Sequence, residues 1–484
     1  MRIEPLERIF PRGVQGVRIH AVGAGGHGIS AALALATLAG AKVTGCDATS
    51  SAMADLLQRY DIPVHVGHDA DHIADADLVV VSPAVTFLHP DLPELALARE
   101  RGIPVAKWQA LLGLLMTGKT GVSVAGVHGK GSTTALLGHL AISAGLDPTV
   151  EVGEQVLSWG SNIRPGSGPL FINEADEFDY NFLYYHPRVA VLTAVEFDHP
   201  EFFAGYDDLR RAFLQFLEGM DTGTGTLQSP RPALVLNADS PGCMEVRDML
   251  NDWRGLTWTF GIAANDADVR ADAVSVGGET SFDLSVRGER LGRVTLRSPG
   301  RHAVANALGA TAGALALGVP KDALIPALES FTGLHRRYQI VPDGDITFVD
   351  DYAHHPHAVA ITLETTRLRF PGRRIIAVFQ PTLYTRLYRF LKPFSEAFDT
   401  SDVAVIVETQ ASREVDTGLV HGRDLVRLIA DRPAFAGHRQ DALYGGTYEE
   451  TAALLRDVSR PGDVIVVMGS GPVDQVITLA RTQA

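Results

Sequence analysis

The sequence predicts an α/β protein of three domains, each built on a mostly parallel sheet. Three observations carry that expectation. β-branched apolar runs alternate with Ala/Leu-rich stretches along the chain, the rhythm of strand–helix–strand units. Two glycine-rich turns each follow such a run directly and open a helical stretch. At 484 residues the chain exceeds one ordinary core, and about three domains is the natural division.

In the first domain, residues 1–118, Arg18–Val22 reads as a strand, followed by a glycine turn and a helix over 29–38. Lys42–Asp47 and Leu78–Val81 read as the next strands. The second domain, 119–330, starts after Met116-Thr117-Gly118. Its strands are 121–124, 170–172 and Val189–Leu192, then an alternating stretch at 282–286, expected to be antiparallel, and a helix over 303–317. The third, 331–484, shows strands at 346–349, 374–378, Val403–Val407 and Val464–Met468. Residues 222–226, Thr-Gly-Thr-Gly-Thr, read as a turn or linker.

Composition narrows the function. The chain carries 57 acidic and 42 basic side chains, a formal charge of −15, which argues against a nucleic-acid partner. Anionic small molecules stay open, since glycine loops and single cations suffice to bind them. Cys46 and Cys243 are the only cysteines, so no disulfide framework is implied and a reducing cytoplasm is expected. Met1-Arg2-Ile3-Glu4-Pro5 has no apolar signal core and no long uncharged run follows. No membrane association is expected.

The most informative stretch runs from Val124 to Thr134, Val-Ala-Gly-Val-His-Gly-Lys-Gly-Ser-Thr-Thr. Backbone N–H groups of a glycine turn at a helix N-terminus cradle an anion. Gly126, His128, Gly129, Lys130 and Gly131 form the cradle. Lys130 adds a full charge for terminal phosphates, and a hydroxyl on Ser132 or Thr133 suits magnesium. A nucleoside triphosphate is the expected ligand. The second signal is Gly23-Ala24-Gly25-Gly26-His27-Gly28, a GxGxxG turn after a strand, with Asp47 about 20 residues on. This geometry recognises pyrophosphate and ribose, and it leaves the particular nucleotide undecided.

Glu174-Ala175-Asp176-Glu177-Phe178-Asp179 puts four carboxylates at a strand end in the same unit as the phosphate loop, where one can complete a magnesium shell. His199 in Glu196-Phe197-Asp198-His199 stands where open α/β sheets place ligands. In the third unit, His335-Arg336-Arg337-Tyr338, Asp350-Asp351-Tyr352-Ala353-His354-His355-Pro356 and Phe379-Gln380-Pro381-Thr382-Leu383-Tyr384-Thr385-Arg386 put cationic and aromatic groups at successive strand ends. Arginines suit transferred phosphoryl charge, a carboxylate a ribose diol, and an aromatic ring an adenine face.

Together these motifs resemble the Mur ligase family, the ATP-dependent amide-forming enzymes of peptidoglycan synthesis. The likeness spans the chain in order, through GxGGxG, GxHGK, EADExD, ExDH, Gly300-Arg301-His302…Asn306, HRR, DDYxHHP, FQPxxYTR, Ser412-Arg413-Glu414 and Met468-Gly469-Ser470-Gly471. EADExD with DDYxHHP and FQP points to the alanine-adding branch and its recycling relative. The resemblance implies a Rossmann-like N-terminal domain for a UDP-sugar, a P-loop ATPase-like central domain for ATP, and a Rossmann-like C-terminal domain that closes over both. It implies an ATP-dependent ligase joining L-alanine to UDP-N-acetylmuramate through an acyl phosphate. By the same resemblance Gly23, Gly25, Gly26, His27, Gly28, Asp47 and Ser82 meet the UDP-sugar. Lys130 holds the β- and γ-phosphates, Ser132 and Glu174 bind one magnesium and His199 a second. Arg337 meets the phosphates, Asp351 the ATP ribose, and Thr133, His302, Asn306 and Tyr352 line the ATP site. His354 and Arg386 face the acceptor and the transferred phosphate.

Four motifs depart from the family pattern, at six positions. Gly131-Ser132 replaces threonines, which moves the metal hydroxyl to Ser132. Ala303 replaces the first asparagine of an HNxxN helix, Ala194 replaces an asparagine before ExDH, and Thr382-Leu383 replaces a His-Arg pair. The rival readings are a ligase attaching a whole tripeptide to the same nucleotide, a nicotinamide dehydrogenase using the first glycine loop, and a non-catalytic nucleotide-binding regulator.

Overall fold

The computed structural model describes residues 6–49, 54–83, 85, 89–199, 202–223, 230–277, 279–412, 414–435 and 441–481. Arg413 and residues 224–226 lie outside them, as does Met1 to Pro5. The described residues form three sheets, and by contact the chain divides into two compact units. One unit runs to Ala273 and includes Phe282–Val294 and Val304–Thr332; the other comprises Val274–Ser281, Thr295–Ala303 and the chain from Gly333 on.

The first sheet holds β1 (Arg18–Val22), β2 (Lys42–Asp47), β3 (Val64–Val66), β4 (Leu78–Val81) and β5 (Val105–Lys107) in the order β3-β2-β1-β4-β5, all pairs parallel. β4 is buried along its whole length, as expected of a strand covered on both faces by crossover helices. The strand order reverses beside β1, so the crevice at the carboxyl ends opens at the first glycine turn. The helix His27–Leu38 starts there.

The second sheet has ten strands. They are β6 (Thr120–Ala125), β7 (Thr149–Val156), β8 (Ser161–Arg164), β9 (Leu170–Ala175), β10 (Val189–Leu192), β11 (Ala233–Asn237), β12 (Leu256–Gly261), β13 (Val269–Val276), β14 (Thr280–Val286) and β15 (Glu289–Leu296). β6 sits between β10 and β9, parallel to both. β14 lies between β13 and β15 and alternates buried with half-buried residues, the sign of a sheet covered on one face. β9 runs to Ala175, three residues beyond the apolar stretch that marks it in the sequence. Glu174 is therefore a strand residue, paired in register with Val124 of β6. Beneath the sheet, Phe182 stacks parallel to Phe216 at 4.9 Å and meets Phe213 edge-on at 5.2 Å. Such aromatic pairs contribute about 0.5–1.5 kcal/mol each beyond area burial.

The third sheet contains β16 (Gln339–Asp343), β17 (Ile346–Asp351), β18 (Ile375–Phe379), β19 (Val403–Val407), β20 (Ala442–Gly446) and β21 (Val464–Met468), ordered β16-β17-β21-β18-β19-β20. β18, β19 and β21 are wholly buried. β16 is absent from the sequence reading. It carries Pro342, pairs antiparallel with β17 and forms the sheet edge, the place where a proline costs no ladder bond. No helix among the described residues is long and apolar enough to cross a membrane.

Candidate active site

β6 delivers the chain into the Gly126–Gly129 turn, and the helix Lys130–Ser143 begins at the lysine. Gly129 caps that helix with φ +79°, and a Cβ there would lie 2.4 Å from Asn306 Oδ1. Both the left-handed φ and the crowding by Asn306 favour glycine at this turn. The turn is held from below by β10's exit. Val127 N–H donates to the Ala194 carbonyl at 2.9 Å, and the Thr193 hydroxyl donates to the His128 carbonyl at 2.5 Å. Ala194 thus supports the loop through its backbone, which its lack of a polar side chain does not affect.

Lys130 Nζ reaches into the carboxylate run and donates to Glu177 at 2.8 and 3.1 Å, with Asp176 at 3.9 Å. The Glu177 side chain is fully buried and stands 3.6 Å from His199 Nε2. Burial alone would discharge the lysine. Glu177, Asp176 and Glu174 outweigh it and hold the ammonium above its ordinary value. Burial likewise opposes the Glu177 charge, but Lys130 and His199 pull its carboxyl below the usual range. Asp176 goes the other way, raised by burial and by its neighbour Glu177.

Glu174 accepts the Gly153 N–H at 2.8 Å. Gly131 clears its approach, since a Cβ there would lie 2.6 Å from Glu154 Oε2 and 3.0 Å from Glu174 Oε2. Glu151 is buried beside them, its carboxyl pushed well above the ordinary value by burial and by Glu174. Thr133 is buried with its hydroxyl turned to Asn306 at 3.4 Å, and the Thr134 hydroxyl donates to the Lys130 carbonyl. Ser132 is half-buried and is the loop hydroxyl not engaged in these supports. One ligand atom each from Asp176, Glu177 and His199 falls within 4.8 Å of the others. Hard oxygen donors outnumber the cations here, and that donor set fits magnesium. Asn306, expected against ATP, also braces the phosphate turn.

His199 takes φ +52°, and Asp179 and Tyr180 take +53° and +55°. Left-handed backbone costs non-glycine residues about 1–2 kcal/mol each. At Asp179 the surrounding contacts hold it: Lys107 bonds both its carbonyl and its carboxylate.

At the first glycine turn, Gly23 and Ala24 N–H groups donate to the Cys46 carbonyl at 2.9 and 3.1 Å, and Gly25 N–H to Asp47 Oδ2 at 2.8 Å. One oxygen of Asp47 thus ties down the loop, in addition to any ribose contact. Gly26 caps the helix that follows. Ser82 Oγ packs on Gly23, and Gly28 lies so close to the Trp108 ring that a Cβ would sit 2.3 Å from it. The His27 carbonyl accepts from Asn162 at 2.9 Å.

In the second unit, Arg336 is structural: it bonds Asp350 at 3.3 Å and the Gly469 carbonyl at 2.7 Å, and pairs with Asp474 at 3.4 Å. Arg337 lies over the Tyr352 ring at 5.0 Å. Asp351 accepts the N–H groups of Ala353 and Tyr338 at 2.8 and 2.9 Å, so each oxygen already orders a turn. His354 donates to the Tyr352 carbonyl at 3.0 Å. His302 folds its ring over Gly300, and Ala303 beside it is buried. Arg386 is 7% exposed, and its Nε has no hydrogen-bond partner among the described residues. Leu383, in the place of a basic residue, takes φ +67°.

Sequence reasoning missed the counter-charge of Lys130, the supporting Glu151 and Glu154, and the Arg336–Asp350 pair. Glu177 was visible only as one of four neighbouring carboxylates.

Comparisons with known proteins identify the family. Residues 18–120 match the Mur ligase family catalytic domain, 124–314 the Mur ligase middle domain, and 336–471 the Mur ligase glutamate ligase domain. The UDP-N-acetylmuramate–L-alanine ligase of Nitratidesulfovibrio vulgaris is 35% identical over 459 residues, covering 95% of this chain and 97% of that protein. Its namesake from Halorhodospira halophila is 36% identical, covering 94% and 91%. The crystal structure of the Thermotoga maritima UDP-N-acetylmuramate–alanine ligase superposes with TM-score 0.77 at 26% identity, over 96% of this chain and 98% of that one. A murein peptide ligase from Psychrobacter arcticus shares the fold, with TM-score 0.70 at 23% identity over 97% and 100%. With relatives of this identity along nearly its whole length and a phosphate turn built around Lys130, the chain belongs to the Mur ligase family of ATP-dependent ligases.

Proposed function

We propose that the chain joins L-alanine to the lactyl carboxylate of UDP-N-acetylmuramate, coupled to cleavage of ATP, to form a peptidoglycan precursor in the cytoplasm. The observation that carries the reading is Lys130 at a helix N-terminus facing the buried Glu177–His199 pair. A carboxylate is a poor electrophile. Attack of one of its oxygens on the γ-phosphorus releases ADP and gives an acyl phosphate. The alanine amine then adds to the carbonyl, and inorganic phosphate leaves as the amide forms. Such a reaction needs positioning and stabilisation of spread anionic charge more than it needs a protein nucleophile.

Lys130 and the turn's N–H groups would hold the β- and γ-phosphates, releasing Glu177 to His199 as they arrive. Ser132 and Glu174 would hold one Mg2+ and His199 a second, and these ions when bound would neutralise phosphate charge and orient the γ-phosphate. Residues 1–118 would take the UDP-sugar through Gly23 to Gly28 and Asp47, 119–330 ATP, and 331–484 supply Arg337, Asp351, His354 and Arg386. Thr193 and Ala194 keep the phosphate turn in register for the transfer.

Phosphate release from ATP, with Mg2+ and UDP-N-acetylmuramate, across a panel of amino acids and the L-Ala-γ-D-Glu-diaminopimelate tripeptide tests the reading. Release that depends on L-alanine is expected. Release supported by the tripeptide and not by alanine would assign the chain to the recycling reaction.

A further inference from the structure

At the base of the first glycine turn, where Gly23 and Ala24 N–H groups donate to the Cys46 carbonyl, lies a cluster that the ligase reaction does not use. His20 on β1, Cys46 on β2, His68 and His72 after β3, and Glu94 on the helix Pro93–Arg101 converge there. His20, Cys46 and Glu94 are 1%, 0% and 0% exposed. Cys46 Sγ lies 3.4 Å from His20 Nε2, 3.5 Å from His68 Nδ1 and 3.2 Å from Glu94 Oε1. Glu94 Oε1 is also 3.2 Å from the Nδ1 atoms of both His68 and His72, and 3.0 Å from the Asp69 nitrogen.

A single carboxylate oxygen has two lone pairs, yet four groups crowd Glu94 Oε1. Its partner oxygen Oε2 is buried with no hydrogen-bond partner among the described residues. Hydrogen bonds alone leave this arrangement lopsided. The three separations among Cys46, His68 and Glu94 match one face of a tetrahedral centre, since bonds of about 2.0–2.3 Å to nitrogen, oxygen and sulfur put neighbouring ligands roughly 3.2–3.8 Å apart, and His20 and His72 form a second group of three with the same sulfur. Charge agrees as well: a thiolate, a carboxylate and neutral imidazoles around a divalent ion sum to zero, as a buried site requires. His20 shows the outer support typical of a ligating histidine, its Nδ1 bonded to the Thr44 hydroxyl at 2.8 Å while Nε2 faces the sulfur.

We propose that Cys46, His68 and Glu94, completed by His20 or His72, bind a divalent transition metal of the zinc class. Mixed sulfur, nitrogen and oxygen donors select such an ion over magnesium. Its role is structural. Cys46 also carries the Gly23 and Ala24 N–H groups on its carbonyl, so the metal fastens the base of the glycine turn.

Cobalt(II) is the probe. Chain stripped with chelator and titrated with Co2+ should develop ligand-field bands and a thiolate-to-cobalt band that saturate at one equivalent, and Zn2+ should bleach them and raise the melting temperature. The chain has two thiols, so Cys46→Ser should abolish the thiolate band and Cys243→Ser should keep it. His68→Gln, at a partly exposed position, is the variant least able to disturb the fold. It and Glu94→Gln should weaken Co2+ binding by roughly tenfold or more, with circular dichroism unchanged in His68→Gln. A full chain that gives no thiolate band, a band that survives Cys46→Ser, or equal Co2+ affinity in folded His68→Gln overturns the proposal.

Discussion

Replacing Lys130 with methionine should damage stability and chemistry separately, and a second substitution should pull the two apart. The lysine side chain is 13% exposed, and it is the nearest cation to the fully buried Glu177 at 2.8 Å. Removing it leaves Glu177 facing His199 at 3.6 Å as its remaining cationic partner among the described residues. Breaking a buried pair from one side costs about 3–5 kcal/mol, and protonation of the stranded carboxyl returns part of that. Lys130→Met should therefore lose about 3 kcal/mol near pH 8. Glu177 is held below its ordinary value in the folded chain, so its contribution is present above the unfolded carboxylate pKa and fades as acid protonates it. The deficit should accordingly shrink below pH 5. Lys130→Met with Glu177→Gln should recover most of the stability, because no buried charge is left unpaired. Turnover should stay at least roughly a hundredfold down in both variants, since the ammonium acts on phosphate charge in the transition state. Urea unfolding and phosphate release from the same preparations read the two effects. A double variant no more stable than Lys130→Met would refute the pairing argument, and near-normal turnover in Lys130→Met would remove the phosphate turn from the ATP site.

Gly25→Val should lower UDP-N-acetylmuramate affinity by roughly tenfold or more while leaving ATP affinity unchanged, because it crowds the first turn alone; calorimetry with each nucleotide would expose a swap of the two sites as the opposite pattern. Glu174→Gln and, more weakly, Ser132→Ala should raise the Mg2+ requirement, whereas Thr133→Ala should not, since its hydroxyl faces Asn306; Mg2+ titrations in which only Thr133→Ala suffers would move the metal hydroxyl by one residue. Burial lifts the Asp350 carboxyl to about 7, against the pull of Arg336. The folded chain then holds that proton more tightly than the unfolded chain, so stability falls as pH rises from 4 to 8, by roughly 4 kcal/mol at most. Asp350→Asn should flatten that part of the pH–stability curve, and an unchanged slope would show that Asp350 ionises freely.

The sheets were legible where strands are buried on both faces. Residues 78–81 and 464–468 are unbroken apolar runs because helices cover each side. Legibility ended at strands whose sequence serves another purpose. β7 carries Glu151 and Glu154 under the phosphate turn and so reads as polar, and β3 is exposed at every residue. Glycine turns were equally plain, because the left-handed conformation at Gly129 favours glycine and the chemistry of the turn is local.

Counter-charges and clusters are a different kind of information. Lys130 and Glu177 are 47 residues apart, and which of four adjacent carboxylates meets the ammonium depends on where β9 ends and how the backbone turns at Asp179. Neither is encoded in composition or period. The histidine–cysteine–glutamate cluster is a stronger case. Zinc motifs are recognised from sequence when one hairpin or helix supplies ligands at fixed short spacing. Here residues 20, 46 and 94 come from separate elements, and only 68 and 72 are near neighbours. What brings them together is the strand order β3-β2-β1-β4 of a parallel sheet, which stacks distant segments side by side. The same order that places the glycine turn at the sheet's switch point therefore places the metal ligands behind it.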